Sequence, residues 1–409
     1  MNNQNQYVLG LNSPFPWAPG HAYQELELFC YKKFSTTDSR PFLFPWLNSP
    51  ISCALKARFQ PFLSSIGVHI ISQPDEIAKA YLNSELIDAS LSSIKYVRRC
   101  DISLKHYLPH DNKDVYTQVM ALIGKDLQPL RASNQAWLTD MMDYMYHYKE
   151  YSKFFEDLRS NLRTQVDLEN PFIRSIVTKE KKIALINIRE HQANASSGMQ
   201  AEQFEPLVAY LKDLDYTLID ISHDKKSAKV DTFCEKYEIT KYWASEFKSA
   251  LVDIDLFALA DCYIGGGGIS HLALMLRVPT LLVGTLYPVT VAASFGYQIP
   301  CRLISYRTNH VLTLEESFYY LVTRPELNEN KYDSWLKKYG PFNMHNCIDE
   351  ISHYNQIITP SGYCILLSYI DMIQSVQQNQ RFSNLSTSPM KDLLGRNYLY
   401  LSASRTWHL

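Results

Sequence analysis

Four consecutive glycines, Gly265 to Gly268, separate the apolar run Ala260-Asp261-Cys262-Tyr263-Ile264 from the helix-like segment Ile269-Ser270-His271-Leu272-Ala273. The whole chain of 409 residues holds only 14 glycines, against the ~7% usual in proteins, so their clustering at one junction needs a cause. Without Cβ atoms the backbone N–H groups can approach a ligand closely, and the amides that open the following helix add donors. A turn that merely packs a strand against a helix seldom needs more than one or two glycines. The junction therefore predicts a strand-loop-helix unit with an anion, most often phosphate, at its loop. Ser270 and His271, in the first helical turn, can add side-chain hydrogen bonds.

The periodicity around this unit extends it into an α/β domain. Strands are predicted at 183–188, 217–221, 262–264 and 280–283, and helices at about 201–214, 230–237, 249–260 and from 269. Such alternation is that of a doubly wound parallel sheet. The first half begins with a strand, Tyr7 to Leu11, then a loop bearing Pro14, Pro16 and Pro19 that ends at Gly20-His21. A helix from Ala22 to Phe34 follows, with Leu26, Phe29, Cys30 and Phe34 on one stripe. Phe42 to Phe44, a helix over Ala54 to Leu63 and the strand Val68 to Ile71 complete a second open sheet, while Val115 to Leu168 reads as helical. Asn170-Pro171 and the charged run Lys179 to Lys182 read as a linker. This divides the chain into 1–175, 176–340 and an extension, 341–409, with helices expected at 314–322 and at 365–376, the latter packing back on the first domain.

Composition narrows the function. Forty basic against 42 acidic residues give a net charge of -2, which offers no broad field for nucleic acid or anionic membrane. The eight cysteines are scattered without zinc-ligand spacing, and no metal site or cofactor is expected. No apolar run approaches the ~20 residues of a membrane span, and the N-terminus lacks a signal-peptide pattern. A cytoplasmic protein, at most peripheral to the inner membrane, is expected.

Gly267-Gly268-Ile269-Ser270-His271-Leu272-Ala273, continuing to Val278-Pro279-Thr280, resembles the Asp-Thr-Gly-x-x-His-Leu-Ala…Pro segment of bacterial lipopolysaccharide heptosyltransferases. These are GT-B glycosyltransferases, so the resemblance implies two Rossmann-like domains facing a cleft. It also implies that Gly267, Gly268 and His271 meet the donor phosphates. The family's Asp, which contacts the donor sugar, falls on Gly266, so the likeness does not extend to an ADP-heptose donor. Ile186-Asn187-Ile188-Arg189-Glu190 is similar to the His-x-Arg runs of GT-B fucosyltransferases and polysaccharide-cluster glycosyltransferases, with Asn187 in place of the His. Arg189 lies at the C-terminal end of the first strand of its domain, where open α/β sheets bind ligands and where its fork suits a diphosphate.

GT-B enzymes commonly place a Gly-His or a catalytic residue on the first loop of the first domain. His21 is accordingly the candidate base, with Glu25 either the alternative base or the group that orients His21. Lys248, with Glu246, stands by position where such proteins hold the nucleoside. The resemblance implies metal-independent, inverting transfer of a sugar from a nucleotide-diphosphate sugar to a glycan, glycolipid or glycoprotein acceptor, as in bacterial polysaccharide assembly. Two alternatives stay open, a nucleotide-sugar epimerase of the same fold and a non-catalytic phosphate-binding or interaction protein.

Overall fold

In a computed structural model, the residues described are 6–11, 19–46, 49–88, 149–188, 199–222, 227–266, 268–285, 296–305, 309–311 and 355–378. The first half comprises β1 (Tyr7–Leu11), α1 (Pro19–Phe34), β2 (Phe42–Pro45), α2 (Pro50–Arg58), α3 (Gln60–Leu63), β3 (Val68–Ile71), α4 (Pro74–Asn83) and β4 (Ser84–Asp88). Its strands form one parallel sheet in the order β3-β2-β1-β4. Proline opens three of these helices, because its fixed φ suits the first turn and its missing N–H is no loss there. One consequence corrects the sequence expectation: α1 starts at Pro19, so Gly20 and His21 lie in its first turn instead of closing a loop. The helix expected over 54–63 likewise starts earlier, where Ser49 and Ser52 form a reciprocal capping box, and it is interrupted at Phe59.

α5 (Lys149–Thr164) and α6 (Pro171–Val177) lead into the second half. The segment expected to be a linker is in part this second helix. Asn170 accepts hydrogen bonds from the amides of Phe172 and Ile173, Pro171 takes the first helical position, and Ile173 and Ile176 are buried. An Asn-Pro pair that reads as a turn is also a helix start. The remaining elements are β5 (Ile183–Asn187), α7 (Glu205–Asp213), β6 (Thr217–Asp220), α8 (Ala228–Lys236), β7 (Thr240–Lys241), α9 (Ala250–Leu259), β8 (Cys262–Gly265), α10 (Ser270–Met275), β9 (Thr280–Thr285), β10 (Gly296–Pro300), the antiparallel pair β11 (Arg302–Ser305) and β12 (Asn355–Ile358), and α11 (Gly362–Gln377). The six-stranded sheet is parallel and runs β10-β9-β8-β5-β6-β7. From β5 the chain builds outward through β6 and β7, then returns to lay β8, β9 and β10 on the other side. This is the doubly wound order, with its switch point between β5 and β8.

The α/β class and the two parallel sheets agree with the sequence reading. The place of α11 does not: Ile365, Tyr369 and Met372 join the core formed by α7, α8 and one face of the six-stranded sheet. Tyr297 shares a 2.7 Å hydrogen bond with Ser375, and Gln203 donates to Thr359 and Pro360 at 2.8 Å. α11 thus packs on the second sheet instead of returning to the first. The expected helix at 314–322 and most of that over 115–168 lie outside the described residues.

A single apolar core runs from the first sheet through α1, α2 and α5 to α9, α10 and the facing side of the second sheet. Polar contacts lock this layer. Arg277 donates to Glu27 at 2.8 Å, the two being 5% and 2% exposed, and its guanidinium lies 4.9 Å from the Phe155 ring centre. Arg58 pairs with Asp255 at 2.8 Å. Arg163 donates at 2.7 Å to the Ala258 carbonyl near the end of α9, and Arg159 donates to the carbonyls of Ala258 and Ala260. These cations meet carbonyls that the helix itself leaves unsatisfied. Removing one member of a buried pair strands the other, so Glu27→Ala should destabilise the protein by about 3–5 kcal/mol in urea unfolding, and Glu27→Gln by less.

Candidate functional site

At the switch point the C-terminal ends of β5, β6 and β8 supply a connected polar floor. Asn187 ends β5 and is buried. Its Nδ2 donates to the Gly266 carbonyl at 2.5 Å and to the Tyr263 hydroxyl at 3.2 Å, while Tyr263 donates to the same carbonyl at 3.1 Å. The Ser222 hydroxyl, just past β6, lies 3.2 Å from Asn187 Oδ1 and 3.2 Å from the Ile188 carbonyl. Asp220 fixes Ser222 in turn, accepting from its amide at 3.1 Å and from its hydroxyl. Lys248, before α9, reaches across and donates to the Ser222 carbonyl at 2.9 Å.

The glycine run is divided between tasks. Gly265 has φ +145, and a Cβ there would stand 2.8 Å from both the Cβ and the carbonyl oxygen of Asn187. A side chain at this position would meet backbone strain and a clash together. Gly268 touches Gly20: a Cβ on Gly20 would come within 2.4 Å of the Gly268 Cα. Gly20 opens the helix after β1, beside the point where the first sheet reverses between β1 and β4. The switch points of the two sheets therefore meet through bare backbone, with α1 alongside α10.

Of the candidate side chains, Lys248 is joined to the polar floor, and His271 lies half-buried in α10 with its Nδ1 shielded from solvent and its amide donating to the Gly268 carbonyl at 3.2 Å. Ser270 is 1% exposed and Glu25 is 0% exposed, both inside the packed layer. Glu27, next along α1, is held by Arg277. Arg189, Gly267 and the His21 side chain lie outside the described residues. α10 has only six residues, so whatever the junction offers an anion comes from individual amides and cations more than from a long helix dipole.

Sequence reasoning passed over Tyr263, Ser222 and Asp253. Asp253 lies on α9, 5% exposed, within the stretch Leu251-Val252-Asp253-Ile254-Asp255-Leu256, where two carboxylates alternate with apolar residues. That contrast was the available signal, since a carboxylate among buried apolar residues must have a partner or a raised pKa. Burial raises the Asp253 pKa to about 6, against the lowering effects of a hydrogen bond from Tyr242 and the charge of Lys248. Burial and the same carboxylate push the Tyr242 and Tyr23 phenols up. Asp253 and Asp255 form an Asp-x-Asp spacing, as do Asp213 and Asp215. Asp255 is paired with Arg58 and Asp215 with Lys181, and among the described residues no three His, Cys, Asp or Glu side chains group as metal ligands would. No described helix is long and apolar enough to cross a membrane.

No family model and no curated protein matches the chain. Solved structures similar to it include a family 9 glycosyl transferase from Veillonella parvula DSM 2008, at 10% identity over 90% of this chain and 99% of that one, TM-score 0.41. The E. coli heptosyltransferase WaaC with ADP-2-deoxy-2-fluoro heptose is similar at 12% identity over 81% of this chain and 99% of that one, TM-score 0.36. E. coli ADP-heptose lps heptosyltransferase II is similar at 12% identity over 72% and 89%, TM-score 0.34.

Two predictions follow from the local chemistry. Gly265→Ala should lower the unfolding free energy by roughly 1–3 kcal/mol through backbone strain alone, with the Asn187 clash adding to it. For Asp253, the raised folded pKa means that stability is greatest below the unfolded value near 3.8 and falls as pH rises through about 6. Urea melts at pH 4 and pH 7.5 should show Asp253→Asn removing this slope, on the order of 3 kcal/mol, from the wild-type difference.

Proposed function

We propose that the protein is a glycosyltransferase that takes its sugar from a nucleotide-diphosphate donor. The observation that carries the proposal is the meeting of two sheet switch points, one bearing the Gly266–Gly268 loop and Lys248, the other the first turn of α1. Open α/β sheets take ligands in the crevice at such points. Two of them turned toward each other give a donor side and an acceptor side. In this reading the donor diphosphate lies at the loop after β8, met by backbone amides, Lys248, His271 and Arg189.

The chemistry is a substitution at the anomeric carbon. His21 accepts the proton of the acceptor hydroxyl, the hydroxyl oxygen attacks, and the bond to the nucleoside diphosphate breaks with inversion. The leaving diphosphate gains charge on its terminal phosphate as that bond breaks, and the cations and amides stabilise it there. Glu25, inside the layer behind the first turn of α1, is suited to orienting more than to touching an acceptor. The acceptor is a glycan or a glycoconjugate.

Isothermal titration against UDP, GDP, ADP, CMP and dTDP tests the donor half of this mechanism. One nucleotide should bind, and Lys248→Ala, Arg189→Ala and His271→Ala should each raise its Kd by roughly 10- to 100-fold, the worth of a charge-assisted hydrogen bond. His21→Ala should leave that Kd unchanged and lower turnover of the matching sugar nucleotide by about 100-fold or more. Equal affinity in all three donor-side variants would refute the site.

A further inference from the structure

Two arginines away from that crevice lack what the others have. Arg40, Arg58, Arg174 and Arg277 each hold a carboxylate within ion-pair distance. Arg159 and Arg163, a turn apart on α5, hold none among the described residues. The Asp261 carboxylate, whose charge is felt at Arg159, is turned to the Ile183 amide, from which it accepts at 2.8 Å. Both arginines instead donate through Nε to one atom, the Ala258 carbonyl oxygen, at 3.3 and 2.7 Å, and Arg159 Nη2 donates to the Ala260 carbonyl. The two cations are therefore held side by side at the end of α9. A helix C-terminus carries about half a negative charge, too little to balance two guanidiniums. Nη1 of Arg159 and both Nη atoms of Arg163 bond to no described residue. Arg159 is partly buried and Arg163 is exposed, which opens the pair to solvent. Burial and the charge of Arg163 lower the Arg159 pKa to about 10, the direction expected of a cation short of a counter-ion.

A guanidinium with unpaired Nη atoms is shaped to meet two oxygens of an oxyanion. We infer that Arg159 and Arg163 form a second anion site, separate from the donor crevice, which takes a phosphate group. Charge selects among oxyanions: a phosphate monoester bears roughly −1.5 to −2 at pH 7, close to the charge of the pair, while a carboxylate leaves one cation uncovered. The site does not rest on the donor reading. The chain passes from α9 into β8, whose four residues span roughly 13 Å; the arginines hold the carbonyls just before that strand, and the glycine loop lies at its far end. An anion on the pair neutralises the cations that cap α9, so occupancy strengthens the contact between α5 and α9. A soluble phosphate compound and a lipid headgroup both carry this chemistry.

The test follows the arginine ¹⁵Nε–¹H signals of the full-length protein while inorganic phosphate is added at constant ionic strength, with acetate as the carboxylate control. The signals of Arg159 and Arg163 are assigned by their loss in Arg159→Lys and Arg163→Lys. Both should shift together and saturate with phosphate, and acetate should bind roughly tenfold more weakly or not at all. Arg163→Gln should abolish the shift of the Arg159 signal, and Lys248→Ala, which alters the switch-point crevice, should leave it in place. Wild-type signals that do not move overturn the inference, and this arm needs no variant beyond those used for assignment. A shift that survives Arg163→Gln, or one lost in Lys248→Ala, also overturns it, the latter by placing the anion at the switch point. Flotation with vesicles of phosphatidylcholine, with and without phosphatidic acid, distinguishes the two sources. Binding to the phosphatidic acid vesicles that Arg163→Gln removes supports the site with a lipid headgroup as its ligand, and saturable phosphate shifts without flotation support it with a soluble one.

Discussion

The rest of the structure depends on the contact between Gly20 and Gly268. A methyl group on Gly20 would fall 2.4 Å from the Gly268 Cα, so the two sheets can come together at their switch points only where position 20 carries no side chain, while a Cβ on Gly268 would stand a tight 3.3 Å from the Gly20 Cα. Once they do, α1 lies along α10, and α9 is set against α2 and α5. The apolar core that runs through these helices then needs no boundary between halves. Packing of this kind is dense and resists small shifts. The Glu27–Arg277 pair is buried as a consequence, and Asp255 is buried against a partly exposed Arg58.

This sharing of core changes what the two-domain description means. A chain of this length divides by sequence into two sheet-forming halves, and the sheets are indeed separate. Yet α9 and α10 each serve as the cover of the second sheet and the seat for helices of the first. α11 does the converse, closing the far face of the second sheet. The second sheet is thus covered on both sides, as a parallel sheet requires, by segments far apart in sequence.

β1, β2, β3, β5, β6, β8, β9 and most helices are legible because their signals are local: apolar runs of strand length, a 3.6-residue stripe, glycine at a strand-to-helix junction; β4, β7, β10, β11 and β12 are not anticipated. Where the reading failed, one residue type carried two meanings. Pro19 and Asn170-Pro171 look like loop punctuation and are helix starts. The destination of α11 was not legible, since an apolar stripe says that a face is buried and not against what. In the site, Lys248 was placed by analogy of position, and its Ser222 contact depends on three strand ends meeting in space. Place in sequence suggests a ligand contact for Ser270, and for Glu25 either a base or the group that orients His21; helix phase sets their direction and turns both inward, which leaves Glu25 only the second of those roles.

The glycine run shows how far a motif can be trusted before its geometry is known. Its density argued for a ligand, since packing alone seldom requires four. Here packing bears on two of the four: Gly265 is required by its positive φ against Asn187, and Gly268 is favoured by the approach of Gly20, which leaves a Cβ at 268 only 3.3 Å from the Gly20 Cα. The carbonyl of Gly266 is turned inward to Asn187 and Tyr263, which secures the loop from below. An anion site at this loop therefore cannot rest on glycine count. Its support is that the residues holding the loop belong to the same hydrogen-bonded chain as Lys248, so a cation and the loop are placed by one set of contacts. Asn187, standing where the similar His-x-Arg motif has histidine, is what joins them. An uncharged amide can donate to Gly266 while its oxygen faces the Ser222 hydroxyl at 3.2 Å, and it does so without a proton whose loss would alter the loop at neutral pH.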